Sequence, residues 1–299
     1  KWQKAKRKAA EKIRDVAAEL FEIYARRAAK PGYKFTVNFD EYHQFSGSFP
    51  FEETVDQQNA ILHVVNDMQK KTAMDRLVCG DVGYGKTEVA MRAAFKAAFD
   101  GQKQVAVLAP TTILAMQHYE TFKERMENFG VNIGLICRFC TPKENKQTLE
   151  KLAAGELDII VGTHRILSKD VIFSNLGLII IDEEHDGSYK QQEGLRYHAR
   201  DLALVRARQE DIPIVLGSAT PSLESLHNAY TGRYALLRLN QRAGGAQQPR
   251  FLRLDVKSRP LDSGISGPMH QAIAQTLAAG QQVLVFLNRR GFAPTLLCH

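Results

Sequence analysis

The sequence predicts an α/β protein built on a doubly wound parallel sheet, with a long helix before it and the start of a second lobe after it. Three observations predict this. From about residue 51 short β-rich runs alternate with helical ones. Those runs are apolar at consecutive rather than alternate positions, as in strands covered on both faces by helices. A glycine-rich segment, Gly80-Asp81-Val82-Gly83-Tyr84-Gly85-Lys86-Thr87, stands between one such strand and one such helix. The 299 residues carry 44% apolar side chains, enough for one large or two ordinary domains and unlike a disordered composition. The most apolar stretches, 105–116 and 176–181, fall short of the roughly 18 residues a minimal membrane span needs. No apolar leader opens the chain, and four cysteines are too few for a disulfide scaffold, so a cytoplasmic protein with no membrane partner is expected.

In chain order, Trp2, Ala5, Ala9, Ile13, Val16, Leu20 and Ile23 recur at three- and four-residue steps and predict one helix over 1–30. Ten basic and four acidic side chains make it strongly cationic, a pattern that serves either nucleic acid or a solvated helix face. Pro31-Gly32 ends it, and 31–50 lacks a sustained period and reads as a linker. The main lobe is expected over 51–239. Its strands are expected at 76–80, 105–110, 133–137, 158–163, 176–185 and 212–220, with helices at 86–100, 111–127, 143–154, 198–209 and 221–231. Residues 240–268, rich in Gly and Pro, read as an interdomain connection. A helix at 269–279 and a strand at 282–287 would open a second lobe over 269–299. Lys1 in place of Met, and an apolar run leading into His299, make the chain read as a piece of something longer.

The glycine-rich segment fits G-x-x-x-x-G-K-[ST] in its proper context. Gly80, Gly83 and Gly85 let backbone N–H groups face phosphates, Lys86 supplies a point charge, and the Thr87 hydroxyl suits Mg²⁺. Such a cradle needs a carboxylate partner, because Mg²⁺ takes hard oxygens and an attacking water must be oriented. Asp182-Glu183-Glu184-His185 follows four apolar residues and so emerges at the carboxyl end of a buried strand, where α/β sheets bind ligands. Asp182 is assigned to Mg²⁺ and Glu183 to the water, which makes Lys86, Asp182 and Glu183 the candidate catalytic group. Cys137-Arg138-Phe139-Cys140 has a zinc-knuckle spacing, but one pair leaves a tetrahedral site two ligands short, so zinc is not expected within this chain.

Together with Ser218-Ala219-Thr220 at the end of a later strand, these motifs resemble the first, RecA-like motor lobe of a superfamily 2 helicase or translocase. The resemblance implies ATP with Mg²⁺ as cofactor and DNA, single- or double-stranded, as partner. It implies that Gln57 reads adenine, that Thr111, Thr112, Thr163, His164 and Arg165 grip a DNA backbone, and that Ser218 and Thr220 couple nucleotide state to movement. At finer resolution it divides. Residues 1–171, with FPFEET and AMDRLVCGDVGYGKTEVAMRAAF, are similar to the bacterial transcription-repair coupling factor family; residues 172–299, with DEEHDGSYKQQEGLRYHARDLA and VLVFLNRRGFAPTLLCH, are similar to the primosomal replication-restart helicases. The intact families imply RNA polymerase or replication-restart proteins as further partners. In the second family, 186–201 would be an aromatic-rich loop that senses DNA, with Tyr189 and Tyr197 stacking on bases and Lys190 and Arg200 meeting phosphates. Cys298 resembles the first ligand of a zinc-binding insertion. Superfamily 2 motors also use arginines of a second lobe, so slow turnover or none is expected of this chain alone. A non-catalytic nucleotide- or DNA-binding module is the alternative; a metabolic P-loop kinase would leave the Ser-Ala-Thr and Thr-rich motifs unexplained.

Overall fold

The computed structural model describes residues 32–36, 39–191, 197–242, 250–257 and 259–286. The long cationic helix expected over 1–30 lies outside them, as does Cys298. The chain divides into two units, Lys1–Ala246 and Gln247–His299.

In the first unit, seven strands form one sheet: β1 (Asp75–Gly80), β2 (Gln104–Leu108), β3 (Ile133–Ile136), β4 (Ile159–Gly162), β5 (Leu176–Ile181), β8 (Ile214–Ser218) and β9 (Ala235–Leu239). Their order is β3-β4-β2-β5-β8-β1-β9, and every neighbouring pair is parallel. All five residues of β2 and all six of β5 are buried, as consecutive apolar positions require, and the one polar member, Gln104, donates to Leu152 O and Leu157 O. One apolar layer holds Val78, Val89, Phe95, Val107 and Ile180; the other holds Leu77, Leu108, Ile160, Ile179 and Leu216. Adjacent residues of one strand thus feed opposite layers. Between β5 and β8 lie two short strands, β6 (Lys190–Gln191) and β7 (Tyr197–His198), which pair antiparallel.

Several features depart from the sequence expectation. The linker read over 31–50 contains a helix, α1 (Phe39–Gly47). Phe45 of α1 is fully buried and stacks on Phe95 with ring centroids 4.1 Å apart. A nine-residue helix carries too few turns to show a period, and packing holds it. A second helix, α2 (Val55–Met68), was not expected either, although its start is legible. The Thr54 hydroxyl accepts from Gln57 N and the Gln57 side chain accepts from Thr54 N, a capping box. The third feature is β9, an edge strand that pairs with β1. The Ala235–Leu239 run reads as a strand only beside a neighbour that completes its ladder.

The remaining helices of this unit follow expectation within a few residues: α3 (Lys86–Phe95), α4 (Thr112–Met126), α5 (Pro142–Ala154), α6 (Ala199–Gln209) and α7 (Leu223–Tyr230). The helix expected over 86–100 changes to a π-turn at Lys96–Asp100, where buried Lys96 pairs with Asp100 at 3.4 Å. In the second unit a hairpin, β10 (Leu261–Asp262) and β11 (Ile265–Ser266), leads into α8 (Gly267–Ala278). Ser263 and Gly264 both have positive φ, 52° and 85°, as a two-residue hairpin turn demands. The strand expected over 282–287 does not form through residue 286; Leu284 and Phe286 are 95% and 81% exposed, and among the described residues no strand pairs with them. Among the described residues no helix is long and apolar enough to cross a membrane.

Candidate nucleotide site and nucleic-acid interface

The phosphate loop leaves the carboxyl end of β1 and enters α3 through Gly85, whose φ of 82° no L side chain adopts easily. A Cβ at Gly85 would lie 2.2 Å from the Gln57 amide nitrogen, so this glycine is required by both conformation and space. Gly83 also has φ 82°, and the Arg242 guanidinium lies against it, with Nε 3.1 Å from where a Cβ would stand. At Gly80 a Cβ would meet Leu239 of β9 at 2.9 Å. The three glycines read as phosphate-facing therefore let the loop lie close to its own surroundings as well.

Gln57 is fully buried. Its Nε2 donates to Tyr84 O at 2.9 Å and its Oε1 accepts from Thr54 N at 2.9 Å. The amide expected to read a base thus braces the phosphate loop with one N–H and caps α2 with one oxygen lone pair, leaving one donor and one acceptor. It lines a cleft of about 630 Å³ with Phe49, Phe51, Lys86, Thr87, His118, Asp182 and Glu183.

Asp182 and Glu183 follow β5, which is separated from β1 by β8. They reach the loop across that strand. Lys86 Nζ donates to Gly80 O at 2.7 Å and lies 3.4 Å from Glu183 Oε1, so the loop cation and the acidic box already pair. Glu183 has φ 46°, a strained conformation for a non-glycine residue of the kind that concentrates at functional sites. Its Oε2 accepts from Ala219 N at 3.3 Å. His185 Nδ1 lies 2.7 Å from Ser218 Oγ, and Ser218 Oγ also accepts from Thr220 N at 3.2 Å. The acidic box and Ser218-Ala219-Thr220 are thereby one hydrogen-bonded unit. Thr87 and Asp182 offer a hydroxyl and a carboxylate to the same cleft, a hard-oxygen pair that fits Mg²⁺ once phosphate oxygens and water fill the other positions.

The residues expected to grip DNA stand at the ends of neighbouring strands. Thr111 follows β2, is exposed, and caps α4 by accepting from Leu114 N at 3.3 Å; Thr112 is the first residue of that helix. Thr163, His164 and Arg165 follow β4, the strand beside β2. Thr163 is buried, with 8% of its surface exposed, and is the least accessible residue of this group. His164 has its pKa lowered by burial and then by the nearby Arg138, which favours a neutral ring. Arg165 forms a two-pronged ion pair with Asp170.

Two expectations in the 186–201 loop are corrected. Tyr189 is 1% exposed, and its hydroxyl donates to Leu108 O at 3.1 Å and to Asp182 O at 2.7 Å. It joins the ends of β2 and β5 and does not face a base. Burial first, and then the carboxylates of Asp182 and Asp186, push its phenol well above the ordinary range. Arg200 is also buried: its Nη1 donates to Glu184 Oε2 at 3.0 Å and to Ser222 Oγ at 2.6 Å, while Nε meets Asp201 at 2.9 Å. These contacts occupy the guanidinium that was expected to meet phosphate. Lys190 is exposed and Tyr197 half-buried; both line an open cleft with Gln191 and His198.

Sequence reasoning missed Glu184, His118 and Arg242. Glu184 is fully buried and accepts from Ser222 N, Ser222 Oγ, Ser225 Oγ and Arg200. An acidic run gives no sign of which member turns inward. His118 Nε2 lies 2.8 Å from Asp182 Oδ2 across 64 residues of sequence, and Arg242 reaches Gly83 from beyond β9. Cys137 and Cys140 have Sγ atoms 3.4 Å apart, and burial raises the Cys140 thiol. Burial likewise pushes Cys79 in β1 up to about 11, which keeps it an inert thiol beside the loop.

A DEAD/DEAH box helicase model matches residues 54–229. The transcription-repair-coupling factor of Haemophilus influenzae is 53% identical over 225 residues, 75% of this chain and 20% of its own length. That of Escherichia coli K12 is 46% identical over 289 residues, 96% of this chain and 23% of its own length. The chain thus spans about a fifth of the length of the curated relatives it matches. A 289-residue match necessarily runs past position 171, so residues similar to restart helicases also align with coupling factors. Among solved structures, RecG bound to a three-way DNA junction is similar with a TM-score of 0.61 and 31% identity, over 76% of this chain and 29% of that one.

Proposed function

The chain belongs to the DEAD/DEAH box helicase family, and from that premise we propose that it is the first motor lobe of an ATP-dependent DNA translocase. One observation carries the reading: Lys86 of the phosphate loop and Glu183 of the acidic box meet at 3.4 Å in a cleft that Thr87 and Asp182 also line. Phe49 and Phe51 supply aromatic surface for a base at the rim of that cleft, and the remaining donor and acceptor of Gln57 suit an adenine edge. Thr87 and Asp182 would hold Mg²⁺, which when bound neutralises phosphate charge. With a nucleotide bound, Lys86 would exchange its pairing with Gly80 O and Glu183 for phosphate oxygens, and Glu183 would then be available to orient a water.

DNA is the proposed polymer. Thr111, Thr112, Thr163, His164 and Arg165 stand on two adjacent strand ends of the same sheet, and hydroxyl and basic groups there suit backbone contacts that position a strand without reading its sequence. Lys190 and Tyr197 extend the surface from the 186–201 loop, as an exposed cation and an aromatic edge. The bonds from Glu183 to Ala219 and from His185 to Ser218 are the proposed route by which nucleotide state alters that surface. In the intact protein, arginines of a second lobe would complete hydrolysis, and the coupling-factor relatives make RNA polymerase the proposed protein partner.

The test is a thermal melt with and without Mg²⁺-ATP, beside Lys86→Ala. Ligand at about 100 times its dissociation constant adds about 2.7 kcal/mol, a shift of several degrees. A shift in the parent alone supports the reading; no shift in either protein refutes it.

A further inference from the structure

The carboxylate assigned to Mg²⁺ is held by a residue from another element. His118 lies on α4, with its side chain 12% exposed, and its Nε2 is 2.8 Å from Oδ2 of Asp182, itself 17% exposed. An ionised carboxylate only accepts, so the ring nitrogen donates. Lys86 and Thr87 of the phosphate loop share the chamber beside Asp182; its other walls include Val78, Val107, Ile180 and Val215, and a Cβ at Gly217 would stand 3.5 Å from Oδ1. The ring of His118 is braced edge-on against Phe122, one turn along the same helix, with centroids 6.4 Å apart. A donor on a rigid helix, fixed by an aromatic neighbour and aimed at one carboxylate oxygen, has the geometry by which outer partners orient metal ligands.

We infer that His118 is a positioning residue for the Mg²⁺ site: its Nε2–H holds Oδ2 of Asp182 and so presents the carboxylate to the metal. The inference rests on the proposed nucleotide site. His118 also lines the nucleotide cleft, and the effect inferred for it falls on metal affinity through Asp182. It explains why a histidine stands at this inward position of α4, where the same face elsewhere carries Ala115, Phe122 and Met126.

The experiment titrates Mg²⁺ into the full chain with a fluorescent ATP analogue and reads the Mg²⁺ midpoint for binding, with a parallel titration of nucleotide in chelator. His118→Leu removes the donor and fills similar space; His118→Gln returns an N–H at nearly the same reach. The Mg²⁺ midpoint is expected to rise about 10-fold in His118→Leu, the lower end of the range for lost outer partners. It is expected to stay within about 2-fold of the parent in His118→Gln, and in His118→Leu the change in metal-free nucleotide affinity is expected to be smaller than the change in the Mg²⁺ midpoint. An unchanged midpoint in His118→Leu overturns the inference, as does a rise in His118→Gln equal to that in His118→Leu, which would assign the ring to packing alone. If His118→Leu does not fold, His118→Gln against His118→Asn, whose donor falls short of Asp182, makes the same comparison. A parent that binds no nucleotide at any Mg²⁺ concentration defeats the proposed function itself, a different result from failure of the histidine's role.

Discussion

Replacing Tyr189 with Phe separates a buried clamp from a base-stacking aromatic, because Phe keeps the ring and removes only the hydroxyl. In the structure that hydroxyl donates to Leu108 O and Asp182 O. Leu108 O still accepts from Asp182 N at 2.9 Å after the change, so the main loss is the 2.7 Å bond to Asp182 O. One buried bond of this kind lost, with its acceptor left inside, costs about 1–2 kcal/mol. At about 2–4 °C per kcal/mol for a unit of this size, the melting temperature should fall by about 2–8 °C. Tyr189→Ala also empties a fully buried ring site and should cost a further ~3 kcal/mol or more. Urea unfolding followed by circular dichroism gives the stabilities, and fluorescence anisotropy with a labelled single strand gives DNA affinity. The reasoning is refuted if Tyr189→Phe is as stable as the parent while Tyr189→Ala loses DNA affinity without losing stability. That pair of results would put the ring on a base.

Two other perturbations test the buried polar structure around the site. Arg200→Leu leaves Glu184 fully buried without its cation and should cost about 3–5 kcal/mol, measured as a fall in urea midpoint; a loss below about 1 kcal/mol would show that Ser222 and Ser225 suffice. His164 has a folded-state pKa below the ordinary value of about 6.5, through burial and then Arg138. The unfolded chain therefore takes up this proton first as pH falls. The contribution is present above about pH 6.5 and is lost as pH falls through the depressed folded value. His164→Gln should flatten the decline in urea midpoint between pH 7.5 and 5.5, and identical slopes in parent and variant would contradict the shift.

Much of this protein is local and was legible in the chain. The phosphate loop is eight consecutive residues whose meaning lies in backbone freedom and one cation, and the structure shows both at Gly85 and Lys86. The inner strands announce themselves because a strand covered on both faces is apolar along a consecutive run, as residues 105–108 of β2 and all of β5 are. The capping box at Thr54 and Gln57 was equally available to sequence reading, since its partners are three residues apart. By contrast α1 is too short to display a period and exists because Phe45 finds Phe95, and β9 is a strand because β1 lies beside it.

Tertiary structure alone decided what the polar side chains do. Sequence placed Tyr189 and Arg200 in a loop and assigned them to DNA; folding turned both inward, because two backbone carbonyls and the buried carboxylate of Glu184 are partners that no local pattern reveals. The contact of His118 with Asp182 spans 64 residues, and it forms because β2 and β5 are neighbours and α4 follows β2 directly. Backbone conformation and apolar periodicity are set by residues near in sequence, so they can be read from it. Hydrogen-bond partners of buried polar groups are set by which strands lie side by side, and that order exists only once the sheet has formed.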